Sequence, residues 1–292
     1  MADTTIKQLT TVIPKGVGLI PLSQDNVTVN TLASSITASA MPSSVRYSVE
    51  YLVVGGGGGG GQDYAGGGGA GGYVEGNMFL NVGERYQVIV GLGGRKDLQH
   101  YYNEDGTDSV FGPVVAFGGG AGMSYQNRRQ ANNGGSGGGC GYQYAYIGRG
   151  FPGQGNNGII GGNIGSTAGG GGGGAGGVPL TITPYIGGVG KSSSITGTST
   201  LYASGGSHIG DLGTVKASDP TPNTGHGGNS AYGSWTGDGT AANGATGIVV
   251  IAYAGAQRGT AYNYNNVIIP ADTSSRAGYT VHKFTQGGYY IA

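Results

Sequence analysis

The chain has 292 residues, of which 69 are Gly and 37% are hydrophobic, against about 7% Gly and about 45–50% apolar in ordinary globular chains, so a core of large side chains along the whole length is excluded. Fourteen Lys plus Arg balance fourteen Asp plus Glu, which leaves no field to hold a polyanion and argues against nucleic acid or an anionic membrane as partner. A single cysteine, Cys140, rules out an internal disulfide framework and fits folding in a reducing cytoplasm.

In chain order, residues 1–45 come first and hold almost no Gly. They read as a small β-type module, and the first residues carry no hydrophobic signal core, so export by a signal peptide is not expected. The apolar positions are Ile6, Leu9, Val12, Ile20, Leu22, Val27, Val29 and Leu32. So few cannot stabilise a segment of this length alone. The module is expected to order against partners, as a homotrimer or on another protein.

Residues 46–259 hold the glycine, in runs at 55–61, 66–69, 118–120, 137–139 and 169–174. Between them lie β-branched stretches that predict strands at Val49–Val54, Tyr86–Val90, Val110–Phe117 and Ile248–Tyr253. Helical periodicity is absent. Residues 260–292 return to alternating text, Tyr279 to Thr285, and Gly287-Gly288 suggests the turn of a C-terminal hairpin-like segment.

Composition by itself calls glycine tracts flexible linkers. Here Val53-Val54 runs straight into seven glycines, Gly55 to Gly61, and a linker is not bracketed by buried-type strands. The ordered alternative is a stack of extended three-residue-per-turn helices at about 3.1 Å per residue, bonded laterally because no side chain keeps them apart. Ordering Gly costs about 0.5–1 kcal/mol more than ordering Ala, so every lateral bond must form. The expected fold is mainly β and irregular: a packed polyglycine-helix sandwich flanked by short strands, without α-helix. Gly57, Gly68, Gly119, Gly138 and Gly171 are its structural glycines.

Motifs for catalysis fail one by one. Gly187-Gly-Val-Gly-Lys-Ser192 lacks the glycine six residues before the lysine, where Tyr185 stands, and lacks a following helix pattern. His100, His208, His226 and His282 have no ligand spacing, so neither zinc nor any cofactor is implied. Cys140, between Gly139 and Gly141, has no legible activating base. Glu104 and Asp105 are the one carboxylate pair a sugar-cleaving enzyme could use, and loop solvation explains them equally well. The chain is read as a non-enzyme.

The pieces Tyr51-Leu-Val-Val-(Gly)7, Gly66 to Tyr73, Gly83-x-x-Tyr-x-Val-x-Val-Gly91, Gly106-x-Asp-Ser-x-Phe-Gly112, Ser194 to Thr198 and Gly247 to Tyr253 together resemble the glycine-rich domain found in many bacteriophage tail proteins. The resemblance extends to tip adhesins in which packed polyglycine helices carry variable loops. Thr5 to Leu9 and Val29 to Leu32 are similar to attachment segments of phage fibres. Two stretches depart from the pattern: Ser207 to Asp211 replaces an expected Gly run, and residues 120–165 carry Tyr, Asn and Arg. The resemblance implies a virion protein, docked on other tail or baseplate proteins through residues 1–45. It also implies binding to a host-cell surface receptor, either an outer-membrane protein or a surface glycan.

Tyrosine supplies the candidate contacts: the chain has 20 Tyr against 5 Phe and 1 Trp. Tyr with Ser, Gly and Asn is the composition of binding loops. The candidates are Tyr101 and Tyr102, Tyr125 with Arg128 and Arg129, Tyr142, Tyr144 and Tyr146, and Trp235. Rings capping the ends of the glycine stack are the alternative, favoured for Tyr73, Tyr86 and Tyr253. A tailspike-like depolymerase and a purely structural virion protein remain the competing functions.

Overall fold

The computed structural model describes residues 45–62, 64–96, 103–124, 130–141, 146–161, 169–181, 183, 185–209, 217–231 and 241–292. The chain divides into Met1–Val45 and Arg46–Ala292; of the first unit, only exposed Val45 is among the described residues.

The apolar runs form strands: β1 Arg46–Val54, β2 Tyr73–Asn81, β3 Arg85–Ile89, β4 Ser109–Phe111, β5 Val114–Ala116, β6 Lys191–Ser193, β7 Thr200–Tyr202, β8 His208–Ile209, β9 Ser230–Ala231, β10 Ile248–Ala254, β11 Thr260–Asn263, β12 Ile268–Ile269, β13 Tyr279–Phe284 and β14 Gly288–Ile291. No α-helix occurs among the described residues, and the fold is mainly β and irregular. One sheet has the order β13-β10-β1-β2 and a second the order β12-β11-β14-β3-β4-β5. Strand β10 and the Leu52–Val54 end of β1 are apolar because both faces are covered there. Val49, Val53, Val249 and Ile251 meet Phe111, Phe284 and Tyr290 in one core. Leu52, Val54, Val250 and Ala252 meet Ala70, Tyr202 and Ala203 in another.

The strand expected over 110–117 is two strands, broken where Gly112 takes a φ of +52° and Pro113 follows. Left-handed backbone suits Gly, and Pro has no N–H to give a ladder. Strand β2 has only the short apolar run Met78–Leu80, because most of its length alternates between half-covered and exposed positions. The C-terminal hairpin is corrected: β13 pairs with β10, whereas β14 lies between β11 and β3 in the other sheet. Parting the two strands lets Phe284 and Tyr290 enter the inter-sheet core from opposite sheets, and both become fully buried. Tyr86 and Tyr253 are corrected too. Both pack in or against that inter-sheet core rather than capping glycine. Tyr73 alone leaves a glycine run directly, its ring buried against Ala70 and Tyr202.

The glycine runs continue the hairpins in unbroken register. Val54 faces Tyr73 across β1 and β2; beyond them the N–H groups of Gly55, Gly58 and Gly61 donate to the carbonyls of Gly72, Gly69 and Gly66. Val54 also faces Ile248 of β10, and Gly57 and Gly60 donate to Ala245 and Ala242. Gly56 and Gly59 donate to Thr107 and Glu104. These bonds are 2.9–3.1 Å long. A strand sends its bonds alternately to two sides. Here each residue turns to the next of three sides, the repeat of an extended three-fold helix.

Acceptance completes the pattern. Gly56, Gly57 and Gly58 carbonyls receive the N–H groups of Gly119, Gly94 and Gly228. Gly55–Gly61 is thus bonded to six neighbouring segments, three as donor and three as acceptor. No side remains for a side chain. A Cβ built on Gly57, Gly68, Gly119, Gly138 or Gly171 would lie closer than 3.0 Å to the backbone carbonyl of a neighbouring segment. All five are buried.

Candidate functional site

The strands close one end of the glycine array, and the opposite end is where its segments turn over. Gly61 bonds Gly66 across the turn of residues 62–65. At that level Gly66 donates to Met123, Met123 to Gly139, Gly170 to Cys140 and Gly60 to Ala242, at 2.7–3.0 Å. Glu104 donates its N–H to the Arg95 carbonyl at 3.0 Å. Lys96 and Asn103, Ser124 and Gln130, Gly141 and Tyr146, Gly161 and Gly169, and Ala231 and Ala241 are the described residues that border the intervening stretches. Bonding places the segments that carry them side by side at this turn-over end.

Tyr146 is described there and is 60% exposed. Tyr101, Tyr102, Tyr125, Arg128, Arg129, Tyr142, Tyr144 and Trp235 lie outside the described residues. Tyr64, which the sequence reading passed over, stands on the 62–65 turn with a φ of +48°. A ring-bearing residue is rarely held in that region. Only the turn geometry reveals it; in sequence Tyr64 looks like any loop residue.

The turn itself is stapled from outside. Ser230 donates its hydroxyl to the Ala65 carbonyl at 2.8 Å, and His208 Nδ1 lies 3.2 Å from the same oxygen and 3.1 Å from Ser230 Oγ. Gln62 forms a bridge with Ala231. His208 is therefore a buried structural group.

Other sequence candidates for chemistry have structural roles. Cys140 is fully buried beside Met123, with Sγ and Sδ 3.8 Å apart, and burial pushes its thiol up to about 11. Thiolate chemistry is therefore suppressed at neutral pH. His226 Nδ1 accepts the Ser204 N–H at 2.9 Å, and burial lowers its pKa. Glu104 makes an exposed ion pair with Arg95 at 3.8 Å. Asp105 Oδ1 accepts the Ala121 N–H at 2.7 Å and the Asn132 side-chain amide at 2.9 Å. Lys191 begins β6, preceded by extended glycine segment and followed by strand. Among the described residues no three His, Cys, Asp or Glu side chains gather as a metal site would require.

Sequence reasoning missed the side chains that finish the array. Asp105 and Asp108 supply acceptors where a neighbouring segment is missing, Asp108 Oδ1 accepting the Gly118 N–H at 2.8 Å. Gln154 accepts the Phe117 N–H at 2.9 Å and donates to Val115 at 2.9 Å. Asn156 donates to the Gly174 carbonyl at 2.7 Å. The Asp spacing of three was the legible signal, since it repeats with the helix turn.

A stack of three-fold glycine segments mounted on paired β-sheets has an interior made mostly of paired backbone, with few side chains such as Met123 and Cys140. Residues 31–254 match the glycine-rich domain family, and the chain belongs to it. Comparison with curated proteins and with solved structures gave no match.

Proposed function

We propose that the protein is a bacteriophage tail fibre or tip adhesin that binds a receptor on the host-cell surface. The carrying observation is that segments bordering the Tyr-rich stretches are bonded side by side at one end of the array. A paired backbone without side chains cannot discriminate partners, so specificity belongs to what leaves it. Stretches 97–105, 124–131 and 142–149, with Trp235, thereby act as one recognition surface. Tyr125, Tyr144 and exposed Tyr146 supply apolar contact, and Arg128 and Arg129 suit phosphate or carboxylate on a bacterial surface. Residues 1–45 attach the protein to the tail, as a trimer. Its place is the virion and its action is binding, without catalysis or cofactor.

The test is adsorption of virions carrying Tyr125→Ala with Arg128→Ala, or Tyr144→Ala, alongside gold-labelled antibody to this chain. Label at the tail end and adsorption slowed at least tenfold, with thermal unfolding unchanged, are expected. Absence of label from virions removes the reading altogether. Normal adsorption by every variant moves recognition away from these stretches.

A further inference from the structure

On one flank of the array, segment 117–123 has a side that no described segment covers. Segment 117–123 donates through Gly119 and Gly122 to Gly56 and Gly59, and through Gly120 and Met123 to Ser136 and Gly139. It accepts from Gly66, Gly69 and Gly72, from Asn132 and Gly135, and from Gly106. Of the remaining N–H groups, that of Phe117 goes to Gln154 Oε1 at 2.9 Å, and those of Gly118 and Ala121 face a side with no described segment. There Asp108 Oδ1 and Asp105 Oδ1 take them at 2.8 and 2.7 Å.

What is left above those carboxylates is a groove of about 570 Å³, inside the range of about 300–1,000 Å³ typical of small-molecule sites. Asp105, Asp108, Asn133 and Arg149 supply its polar lining. Phe117 and Phe151 meet in it, ring centroids 4.6 Å apart and tilted by 56°. Phe151 is 49% exposed, a large apolar face presented to water.

We infer that this groove on the flank of the array is a binding site for a neutral saccharide of one or two hexose units. Its polar groups are divided as a polyol needs. Each carboxylate spends Oδ1 on backbone, and Oδ2 has no partner among the described residues, so it accepts hydroxyl protons. Asn133 spends Oδ1 on the Arg149 N–H at 2.7 Å, which leaves its amide protons to donate. The Arg149 guanidinium has no ion-pair partner among the described residues and donates as well. A half-exposed phenyl face matches the C–H face of a pyranose. Two carboxylates against one guanidinium give the groove a net negative charge, which disfavours phosphorylated and acidic sugars.

The groove includes Asp105 and Arg149, the last residues of stretches 97–105 and 142–149, and it is tested on the purified chain, without virions. The probes are glucose, galactose, mannose, N-acetylglucosamine, maltose and lactose, with glucuronate and glucose 6-phosphate as charged controls. Saturation-transfer NMR detects contact and calorimetry measures affinity. Binding of at least one neutral sugar at a Kd of millimolar or below is expected, with no binding of the charged controls. Phe151→Ala should weaken it at least tenfold and Arg149→Ala at least threefold. Thermal unfolding of both variants should be unchanged, because neither side chain holds the array. No neutral sugar bound, affinity unchanged in Phe151→Ala, or preference for a charged control overturns the inference. These outcomes leave the virion and adsorption tests untouched.

Discussion

The two halves of the described unit are held together in opposite ways. Between the β-sheets, Phe111, Phe284, Leu80 and Tyr290 are fully buried, and cohesion comes from side chains removed from water. In the glycine array such side chains are few, Met123 and Cys140 among them, and cohesion comes mainly from backbone groups of neighbouring segments bonded to one another. A core of side chains is adaptable, because rotamers and volumes can trade. An array of backbone is not, because a Cβ at Gly57 meets the His226 carbonyl and neither can rotate away. The difference teaches that tolerance to mutation need not follow the size of the buried group. Here the smallest residue is the least replaceable.

The largest expected effect breaks the comparison most directly. Gly57→Val and Gly171→Val should yield no folded protein, since the added atoms must force apart segments whose N–H and C=O groups then lose partners together. Phe111→Ala, although it empties a fully buried site, should cost about 3–5 kcal/mol and still fold. Thermal unfolding and limited proteolysis of the three variants decide the matter. A Gly57→Val protein more stable than Phe111→Ala would refute the backbone account.

The second effect belongs to the side-chain core and depends on pH. His282 is fully buried; its Nε2 lies 3.1 Å from the Tyr253 hydroxyl, and its Nδ1 has no partner among the described residues. Burial lowers its pKa from 6.5 to about 4. Below pH 6.5 the unfolded chain binds the proton first, so stability falls as pH drops from about 6.5 towards 4, by up to about 3 kcal/mol. Half-buried His226, whose pKa burial also lowers, adds to the loss in the same direction. Melting temperature followed from pH 7 to 4 should decline, and His282→Phe should flatten part of the decline. An unchanged profile in that variant would assign the acid sensitivity elsewhere.

The smallest effect sharpens the comparison where the array borrows side chains. Asp105→Ala removes the acceptor for the Ala121 N–H and the Asn132 amide, at a cost of about 1–3 kcal/mol. Asp105→Asn keeps an acceptor oxygen and should recover most of that. Denaturant unfolding of the pair separates a structural carboxylate from a merely solvated one: equal stability of Asp105→Ala and the parent chain would mean solvation.

Much of this was legible in the residues. Val53-Val54 running into Gly55 announced an ordered junction, and strands β1, β3, β10 and β13 were read at nearly their observed places. Strand β2 was not, because its alternation of half-buried and exposed positions leaves only the short apolar run Met78–Leu80. Of the candidate contact residues, Tyr146 alone is among the described residues, and it is exposed, while Tyr86 and Tyr253 went to the sheet core, a destination that an isolated Tyr does not declare.

By itself, the sequence determined the class: enough glycine to forbid a conventional core, enough β-branched text to bracket it, and family membership over residues 31–254. Only the tertiary structure decided which segment bonds which, that the Tyr-bearing stretches are bordered by segments bonded at one end, and that segment 117–123 lacks a neighbour. The reason is that one glycine N–H is chemically the same as the next. Nothing within Gly55–Gly61 encodes a partner. Its register is imposed from outside, by Val54 facing Tyr73 on one side and Ile248 on the other.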